Sequence, residues 1–492
     1  MTHIVAIDQS TSATKAVLFD AAAAVVDLAI REHRQIYPQA GWVEHDAEEI
    51  WQNVLAVLRE LVGRNPRLVS EAAAIAVTNQ RETVVAFDKR TGMPLHHAIV
   101  WQCRRGENIC QTLRDAGHGD TVHTKTGLKL DTYFSGSKLK WLIQSRPDIR
   151  RQLESGDALI GTIDTYLIYR LTGGEVFATD HTNASRTLLF DIDRLRWDEQ
   201  LCGLFDVPMR ALAEVRESFA EFGTTDANEV LPRPLPIRGV IGDSQASLFA
   251  QTCYERGACK ATFGTGTSVL LNTGERARSV DGGAVAALAW VWHGKPTYAT
   301  EGIINASTAT ITWLKEQIGL IADTNESEDL ARSVDDNGGV YLVPAFSGLS
   351  APYWRSSARA AIVGMTTHTT KAHIVRAALE SIAYQVRDVL EMLRLESHTV
   401  PQLLLADGGA TRNEFLMQFA ADILQLELVV SDVRESSARG AAMSAMLGLG
   451  AVPSMAQLSA LPRNVRRYRP RMDVTAAQNL YDEWQIAVKR VF

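Results

Sequence analysis

The sequence lacks the cysteine pattern of a secreted or zinc-stabilised protein. It has five cysteines in 492 residues, and no two of them are spaced as CxxC. An odd number of scattered thiols argues against a disulfide framework and favours a reducing compartment, so we expect a cytoplasmic protein. The cysteines are Cys103, Cys110, Cys202, Cys253 and Cys259.

Long apolar runs are also missing. The longest, from Ala284 to Trp292, is far shorter than the ~20 residues of a membrane span, and we predict a buried strand there. Near the start of the chain, Asp8 interrupts the first apolar stretch and no basic segment precedes it. We therefore expect neither a membrane span nor a signal peptide.

Positive charge is scarce as well. The chain has 50 Lys and Arg residues against 57 Asp and Glu, a net charge of −7. No basic surface for nucleic acid is expected from that balance. A hydrophobic content of 46% and a charged content of 22% are ordinary for a globular protein and exclude extended disorder. With 492 residues, the chain is about three times as long as a typical domain of ~150 residues. We therefore expect two or more domains.

Two hairpin-like segments lie half a chain apart. In the first, strands at Ile4–Ile7 and Ala16–Asp20 flank a polar turn from Asp8 to Lys15, and Val25–Ile30 follows as a third strand. In the second, Lys260–Phe263 and Ser268–Asn272 flank Gly264-Thr265-Gly266-Thr267. This repetition predicts a duplicated α/β domain.

Helical segments alternate with these strands, as in mixed sheets covered by helices. Residues 46–64 show helical apolar spacing and an Asp46…Glu49 capping box, and residues 371–395 repeat the apolar pattern. The boundary between the two halves is placed near residues 247–256.

Three turns rich in small residues could bind phosphate through backbone N–H groups and hydroxyls. They are Ser10-Thr11-Ser12, Gly264-Thr265-Gly266 and Asp407-Gly408-Gly409-Ala410. Each alone fits a plain hairpin or strand–helix turn. Together, on a duplicated scaffold, they favour a nucleotide cleft between two domains, and none matches the Walker A pattern.

Polar and aromatic residues at predicted strand ends have two interpretations each. Asp243 either projects into the cleft or caps the helix that follows it. Arg81 and Glu82 form either a solvated turn or a donor–acceptor pair for vicinal hydroxyls. Trp101 and Tyr133 suit either core packing or the wall of a small polyol site.

Several longer segments resemble one family. They include Gly41-Trp42-Val43-Glu44-His45-Asp46, Thr78-Asn79-Gln80-Arg81-Glu82, Thr182-Asn183-Ala184-Ser185-Arg186-Thr187 and Ala351-Pro352-Tyr353-Trp354. Nearly end to end, the chain resembles the glycerol kinase branch of the FGGY carbohydrate kinase family. The resemblance implies an α/β fold of two actin-like (ribonuclease H-like) ATPase domains, residues 1–247 and 248–492, with a catalytic cleft between them.

The resemblance also implies an activity and roles for individual residues. The activity is ATP-dependent phosphorylation of glycerol to sn-glycerol 3-phosphate, with ATP and Mg²⁺ as cofactors. Asp243 falls on the catalytic base and, with Asp8, on the metal site. Arg81, Glu82, Tyr133 and Asp243 fall on the polyol-binding residues, and Trp101 on the apolar wall. The implied ATP-binding residues are Ser10, Thr11, Ser12, Lys15, Gly264, Thr265, Thr308, Thr312, Gly409 and Asn413.

The sequence departs from the family pattern at some of these positions. Ser244 replaces a glutamine and Ser268 a phenylalanine of the polyol pocket, and both are assigned here to substrate binding. Ser10, Lys15, Thr308 and Thr312 stand where glycine, arginine, glycine and glutamine are usual. A kinase for a larger polyol or ketose (erythritol, threitol, xylulose or ribulose) therefore stays an alternative. An actin-like ATPase without a small-molecule acceptor is a further one. We expect a homo-oligomer, either a dimer or a tetramer.

Overall fold

Two large mixed sheets organise the computed structural model, which describes residues 3–226, 230–275, 283–355, 357–432 and 435–492. The strands of the first half are β1 (His3–Gln9), β2 (Ala13–Phe19), β3 (Val25–Glu32), β4 (Glu44–His45), β5 (Ala72–Asn79), β6 (Val84–Asp88), β7 (Ala98–Ile99), β8 (Ala158–Thr162), β9 (Ala178–Asp180), β10 (Phe190–Asp191), β11 (Arg196–Trp197), β12 (Glu214–Arg216), β13 (Glu221–Thr224) and β14 (Pro236–Gly242). Its helices are α1 (Ala47–Arg64), α2 (Pro66–Ser70), α3 (Glu107–Asp115), α4 (Gly119–Thr126), α5 (Ser135–Ser145), α6 (Pro147–Ser155), α7 (Ile163–Leu171), α8 (His181–Ala184), α9 (Glu199–Leu204) and α10 (Asp243–Ala250), with a 3₁₀ turn at Met209–Ala211.

The second half also contains both strands and helices. Its strands are β15 (Cys259–Phe263), β16 (Thr267–Gly274), β17 (Val285–Trp292), β18 (Lys295–Ile304), β19 (Tyr341–Val343), β20 (Ala361–Val363), β21 (Leu403–Asp407), β22 (Glu427–Ser431) and β23 (Val465–Tyr468). Its helices are α11 (Thr308–Glu316), α12 (Glu326–Arg332), α13 (Lys371–Ser397), α14 (Glu414–Leu424), α15 (Ser436–Gly448), α16 (Met455–Ser459) and α17 (Val474–Lys489), with a 3₁₀ turn at Gly409–Arg412.

The two large sheets arrange their central strands in the same way. The first has the order β13-β14-β5-β1-β2-β3, and the second β17-β18-β16-β15-β21-β22-β23. In each, an antiparallel hairpin (β1–β2 or β15–β16) lies beside a parallel strand (β5 or β21), which pairs with a second parallel strand (β14 or β22). The duplicated α/β architecture predicted from the two hairpins is therefore confirmed. The predicted strand at Ala284–Trp292 is β17, which is almost wholly buried.

The tip of the first hairpin is shorter than the sequence suggested. The polar turn is Ser10–Ser12, because Asp8 pairs with Lys15 and Gln9 with Thr14 inside the strands. Thr14 Oγ1 also donates to Gln9 Oε1 at 2.6 Å. These cross-strand contacts let polar residues continue the ladder, where composition alone had indicated a turn.

The predicted helices form, with one local difference. In α1 the carboxylate of Asp46 accepts hydrogen bonds from the backbone N–H groups of Glu48 and Glu49. The reciprocal half of the capping box does not form, because the Glu49 carboxylate binds the backbone N–H and Nε of Arg34. The second predicted helix is α13, whose inner face packs in the core of the second half.

Helices α10 and α15 cross between the two sheets. Ala246 of α10 and Ala438 and Ala441 of α15 belong to one apolar cluster that also contains residues of β1 and β22. A Cβ at Gly440 would meet the Ala246 carbonyl oxygen at 1.8 Å, so only glycine permits this approach. The crossing fixes the start of α10, and with it Asp243, between the halves. No helix in the described ranges is long and apolar enough to cross a bilayer.

Candidate active site

Two adjoining cavities lie where strands of both sheets end. The first, here called the inner cavity, has a volume of about 460 Å³ and contains Arg81, Asp243 and Glu301. The second, the outer cavity, has about 850 Å³ and contains Asp8, Lys15 and Gly409. Ser247, Thr262 and Ser437 line both cavities. The edge formed by β1, β5, β14, β15 and β21 therefore carries one continuous polar cleft.

The inner cavity is built around Arg81, which follows β5. Its Nη2 donates to Glu301 Oε1 at 2.8 Å and its Nη1 to Glu301 Oε2 at 3.2 Å. Nη1 also donates to Gln245 Oε1 at 3.1 Å, and Nε lies 3.3 Å from Asp243 Oδ1. The guanidinium is thus held on several sides, and the interpretation of this segment as a solvated turn is wrong.

A second arginine completes a buried array of four charges. Arg186 Nε donates to Glu82 Oε1 at 2.6 Å, and its Nη2 lies 3.0 Å from Glu301 Oε2. The four side chains are at most 3% exposed. Burial alone raises the pKa of Glu301, but Arg81 and Arg186 outweigh it and lower that pKa to about 2. Two cations and two anions make the array neutral, which a buried site requires.

Asp243 faces this array from the first residue of α10. Gly242, not Asp243, is the N-cap of the helix, so the capping interpretation is wrong. The Asp243 side chain is 35% exposed and lines the inner cavity. The cavity walls displace much of the water around the carboxylate and so raise its pKa, and the Arg81 guanidinium opposes the shift. A carboxylate with a raised pKa beside an open cavity is suited to accept a proton.

Aromatic and hydroxyl groups form the rest of the inner wall. Trp101 Nε1 donates to Thr11 Oγ1 at 2.9 Å, and the Trp101 ring lies 5.3 Å from that of Tyr133. Burial raises the pKa of Tyr133, so its phenol is a neutral donor and acceptor. Ser268 Oγ donates to Glu301 Oε1 at 2.9 Å, and Ser244 lines the same cavity.

The outer cavity is more open and is lined by strand ends and turns. Lys15 Nζ lies 3.6 Å from Asp8 Oδ2 and forms an ion pair with Glu435 Oε2 at 2.5 Å. Burial raises the pKa of Asp8 to about 6, although the adjacent Lys15 ammonium pulls it down. The turn after β21 passes close to β15, since a Cβ at Gly408 would lie 2.4 Å from the Phe263 carbonyl oxygen.

The structure brings most of the sequence-predicted residues to these cavities. The inner cavity contains Thr11, Ser12, Arg81, Glu82, Trp101, Tyr133, Asp243, Ser244, Thr265 and Ser268, and the outer cavity Asp8, Lys15 and Gly409.

Five predicted ATP-site residues are not among the described residues that line either cavity. They are Ser10, Gly264, Thr308, Thr312 and Asn413. The hydroxyls of Ser10 and Thr308 donate to backbone carbonyls beside the two hairpin turns. Ser10 Oγ donates to the Ala13 carbonyl, and Thr308 Oγ1 donates to the Gly264 carbonyl. Asn413 caps α14. Their roles in nucleotide binding stay predictions.

Sequence reasoning assigned no role to four charged residues of the cleft. Glu301 and Lys260 stand on strands β18 and β15 and are each 1% exposed, while Arg186 is fully buried. A charge between uncharged neighbours within a strand is the signal that could have identified Glu301 and Lys260. Arg186 lies inside a family-like segment, and Glu435 carries no local signal.

A metal ion fits beside Asp8. Its Oδ1 is buried and has no hydrogen-bond partner among the described residues. Nowhere in those residues do three or more His, Cys, Asp or Glu side chains cluster as a metal site. Mg²⁺ commonly takes one or two carboxylates with waters and phosphates, so Asp8 and the nearby Asp243 suffice.

Comparison with known proteins agrees with this geometry. The N-terminal domain model of the FGGY family of carbohydrate kinases matches residues 3–250, and the C-terminal domain model matches residues 259–449. Glycerol kinase 1 of Thermotoga maritima is 45% identical over 489 residues, 99% of each chain. A glycerol kinase of Carboxydothermus hydrogenoformans is 46% identical over 488 residues, 99% of this chain and 98% of that one.

Solved structures give the same result. The crystal structure of Plasmodium falciparum glycerol kinase with ADP matches with a TM-score of 0.93 and 37% identity, covering 100% of this chain and 98% of the other. A gluconate kinase from Lactobacillus acidophilus shares the fold at a TM-score of 0.88 and 21% identity, covering 99% and 97%. With its two FGGY domains arranged around one cleft, the chain belongs to the FGGY family of carbohydrate kinases.

Proposed function

We propose that this protein catalyses ATP-dependent phosphorylation of glycerol to sn-glycerol 3-phosphate in glycerol catabolism. The observation that carries the proposal is the position of Asp243. It lines the inner cavity, and Ser247, one helical turn later on α10, lines both cavities. A hydroxyl bound near Asp243 would therefore face a phosphate group arriving from the outer cavity. The relatives named glycerol kinases support glycerol as the acceptor.

In this mechanism the glycerol hydroxyl oxygen attacks the γ-phosphorus of ATP, and its proton passes to the Asp243 carboxylate. The new P–O bond forms as the bond to the β-phosphate oxygen breaks, and ADP leaves with that electron pair. Arg81 Nε, 3.3 Å from Asp243 Oδ1, holds the carboxylate in place. The raised pKa of Asp243 makes it a stronger base than an ordinary aspartate.

The remaining groups orient the two substrates. Glu82 accepts hydrogen bonds from glycerol hydroxyls, Tyr133 donates or accepts one, and the Trp101 ring covers the carbon chain. Mg²⁺ held through Asp8 and Asp243 would neutralise phosphate charge during transfer. The polar Thr11, Ser12 and Thr265 lie at the cleft, where they can bind phosphate oxygens.

A kinase for a larger polyol or ketose is less favoured than glycerol by the named relatives, and a polyol-independent ATPase would have no use for the inner cavity. The five cysteines are buried and form no disulfide, as is usual in a reducing compartment. The proposal therefore places the protein in the cytoplasm. The homo-oligomeric state stays a prediction.

The test is a coupled ADP-release assay with purified protein and MgATP. Glycerol, dihydroxyacetone, erythritol, threitol, xylulose and ribulose are compared, with Asp243→Asn as the inactive control. The expected result is that glycerol gives the highest kcat/KM and a phosphorylated product. ADP release without any polyol would instead identify an ATPase. A higher kcat/KM for a ketose would show that the ketose, not glycerol, is the acceptor.

A further inference from the structure

A third cavity lies outside the catalytic cleft, around the buried side chain of Arg439. It has a volume of about 260 Å³ and is lined by the turn between β2 and β3, the end of β22 and the segment before β23. Arg439 and Arg463 both line it, together with Asp432. We call it the Arg439 cavity. That volume leaves room for several waters or for a small ligand.

Arg439 is a buried cation with almost no partner. The residue is 4% exposed, and its Nε and Nη1 have no hydrogen-bond partner among the described residues. Its Nη2 makes one long contact, 3.4 Å to the Pro462 carbonyl oxygen. A buried guanidinium normally satisfies its donors and pairs its charge, since leaving them without partners is energetically unfavourable.

The surroundings add to that cost. Arg439 is the fourth residue of α15, where the helix dipole disfavours positive charge. Burial lowers its pKa, and repulsion from Arg463 lowers it further. A negatively charged ligand in the cavity would oppose both the helix dipole and the repulsion from Arg463.

The two acids nearby are engaged elsewhere. Asp432 Oδ1 lies 3.8 Å from Arg466 Nε, and its side chain is 56% exposed. Asp20 accepts hydrogen bonds from the backbone N–H groups of Ala22 and Ala24, which fixes it in the β2–β3 turn. Neither carboxylate is within salt-bridge distance of Arg439 in the described structure, so no ion pair there neutralises the guanidinium, and the more distant Asp20 only partly offsets its charge.

We propose that the Arg439 cavity is a binding site for a phosphate group, separate from the catalytic cleft. Arg463 Nη1 donates to the Gln251 carbonyl oxygen and to Thr252 Oγ1, which holds this guanidinium at the cavity. Two guanidinium groups suit a compact dianion better than a single carboxylate, because their remaining N–H groups can donate to several of its oxygens. The site adjoins the nucleotide end of the protein. Asp432 lines both the Arg439 cavity and the outer cavity, and Ser436 and Ser437, which precede Arg439 on α15, line the outer cavity.

The test is calorimetric titration of the full-length protein saturated with glycerol and a non-hydrolysable ATP analogue, so that the catalytic cleft is filled. Inorganic phosphate, ribose 5-phosphate and citrate are titrated separately. We expect a phosphate probe to bind and Arg439→Met to weaken it about tenfold or more. The control Arg151→Met, on the exposed face of α6, should leave it unchanged.

The outcomes separate the alternatives. Tighter binding of ribose 5-phosphate identifies a phosphate ester as the ligand, and equal binding identifies the free ion; both support the site. Binding of citrate alone, equal binding by Arg439→Met, or no binding overturns it. If Arg439→Met fails to fold, Arg439→Lys and tungstate-soaked crystals replace it. Heavy-atom density between Arg439 and Arg463 supports the proposal, and density confined to the cleft contradicts it.

Discussion

The two halves of the cleft bind charge in different ways. The inner cavity holds two Arg–Glu pairs that are at most 3% exposed and bonded to one another. In the outer cavity the ion pair of Lys15 and Glu435 is 20% exposed on both sides, and much of the lining is turn. The charges of the inner cavity are therefore paired in place before any ligand binds, whereas the outer cavity keeps charges that can exchange partners.

This difference has a physical reason. A small neutral polyol offers few contacts, so its site must be fixed beforehand to bind and orient it. A nucleotide triphosphate brings its own charge and metal and can replace protein–protein ion pairs as it binds. Changes in the inner cavity should therefore alter the acceptor and turnover, and changes in the outer cavity should alter nucleotide affinity.

The largest effect is expected at Asp243. Asp243→Asn keeps the shape of the side chain but removes the base, so kcat should fall by ~10²–10⁴. Affinity for ADP in the absence of Mg²⁺, measured by calorimetry, should stay the same, because Asp243 lines the inner cavity and not the outer one. Asp329→Asn, an exposed position on α12, serves as the matched control. Near-normal turnover in Asp243→Asn would disprove its role as base.

Arg186 should give the next largest effect, although it lies behind the cavity wall. Arg186→Met removes the partner of Glu82 and Glu301. We expect KM for glycerol to rise about ten- to a hundredfold, because this is the usual cost of losing a charge-assisted hydrogen bond. Burial raises the pKa of Glu82, and Arg186 is one of two cations that hold it down. Without Arg186 less Glu82 is ionised at neutral pH, so the KM should improve as pH rises.

The controls for Arg186 separate positioning from general damage. Arg186→Lys should recover part of the glycerol affinity, and ADP affinity should be unchanged in both variants. A loss of ADP affinity equal to the loss for glycerol would mean that Arg186 supports the whole fold, not the inner cavity.

Arg186 and Glu301 also mark the limit of what the sequence could predict. Both hairpins, the duplicated topology, and the placement of Arg81, Glu82 and Asp243 followed from strand patterns, strand-end motifs and family-like segments. The charge of Glu301 within its strand was a local signal, but its partner Arg81 lies 220 positions away in sequence, and no local pattern encodes that contact. The nucleotide role of Asn413 stays a prediction, and in the structure its side-chain oxygen accepts a hydrogen bond from the Leu416 backbone N–H and caps α14.

A smaller effect is expected from filling the uncharged part of the inner cavity. Ser244→Gln with Ser268→Phe adds an amide and a ring, so four-carbon polyols should lose more activity than glycerol. Such steric discrimination is worth ~1–3 kcal/mol, and we expect the glycerol-to-erythritol ratio of kcat/KM to rise about tenfold. Ser268→Ala removes the bond to Glu301 without filling space and should leave the ratio unchanged. An unchanged ratio in the double variant would show that these serines do not set specificity.

The smallest effect tests the outer cavity alone. Glu435→Gln removes the charge that holds Lys15, and the freed ammonium can then bind nucleotide phosphate. Because this pair is partly exposed, it is worth only ~0.2–1 kcal/mol, so ADP should bind about two- to fivefold tighter. Calorimetry with ADP measures this, with Glu391→Gln, in an exposed pair on α13, as control. Weaker ADP binding would mean that Glu435 positions Lys15 for the phosphates, while a changed KM for glycerol would show that the two ends of the cleft are not independent.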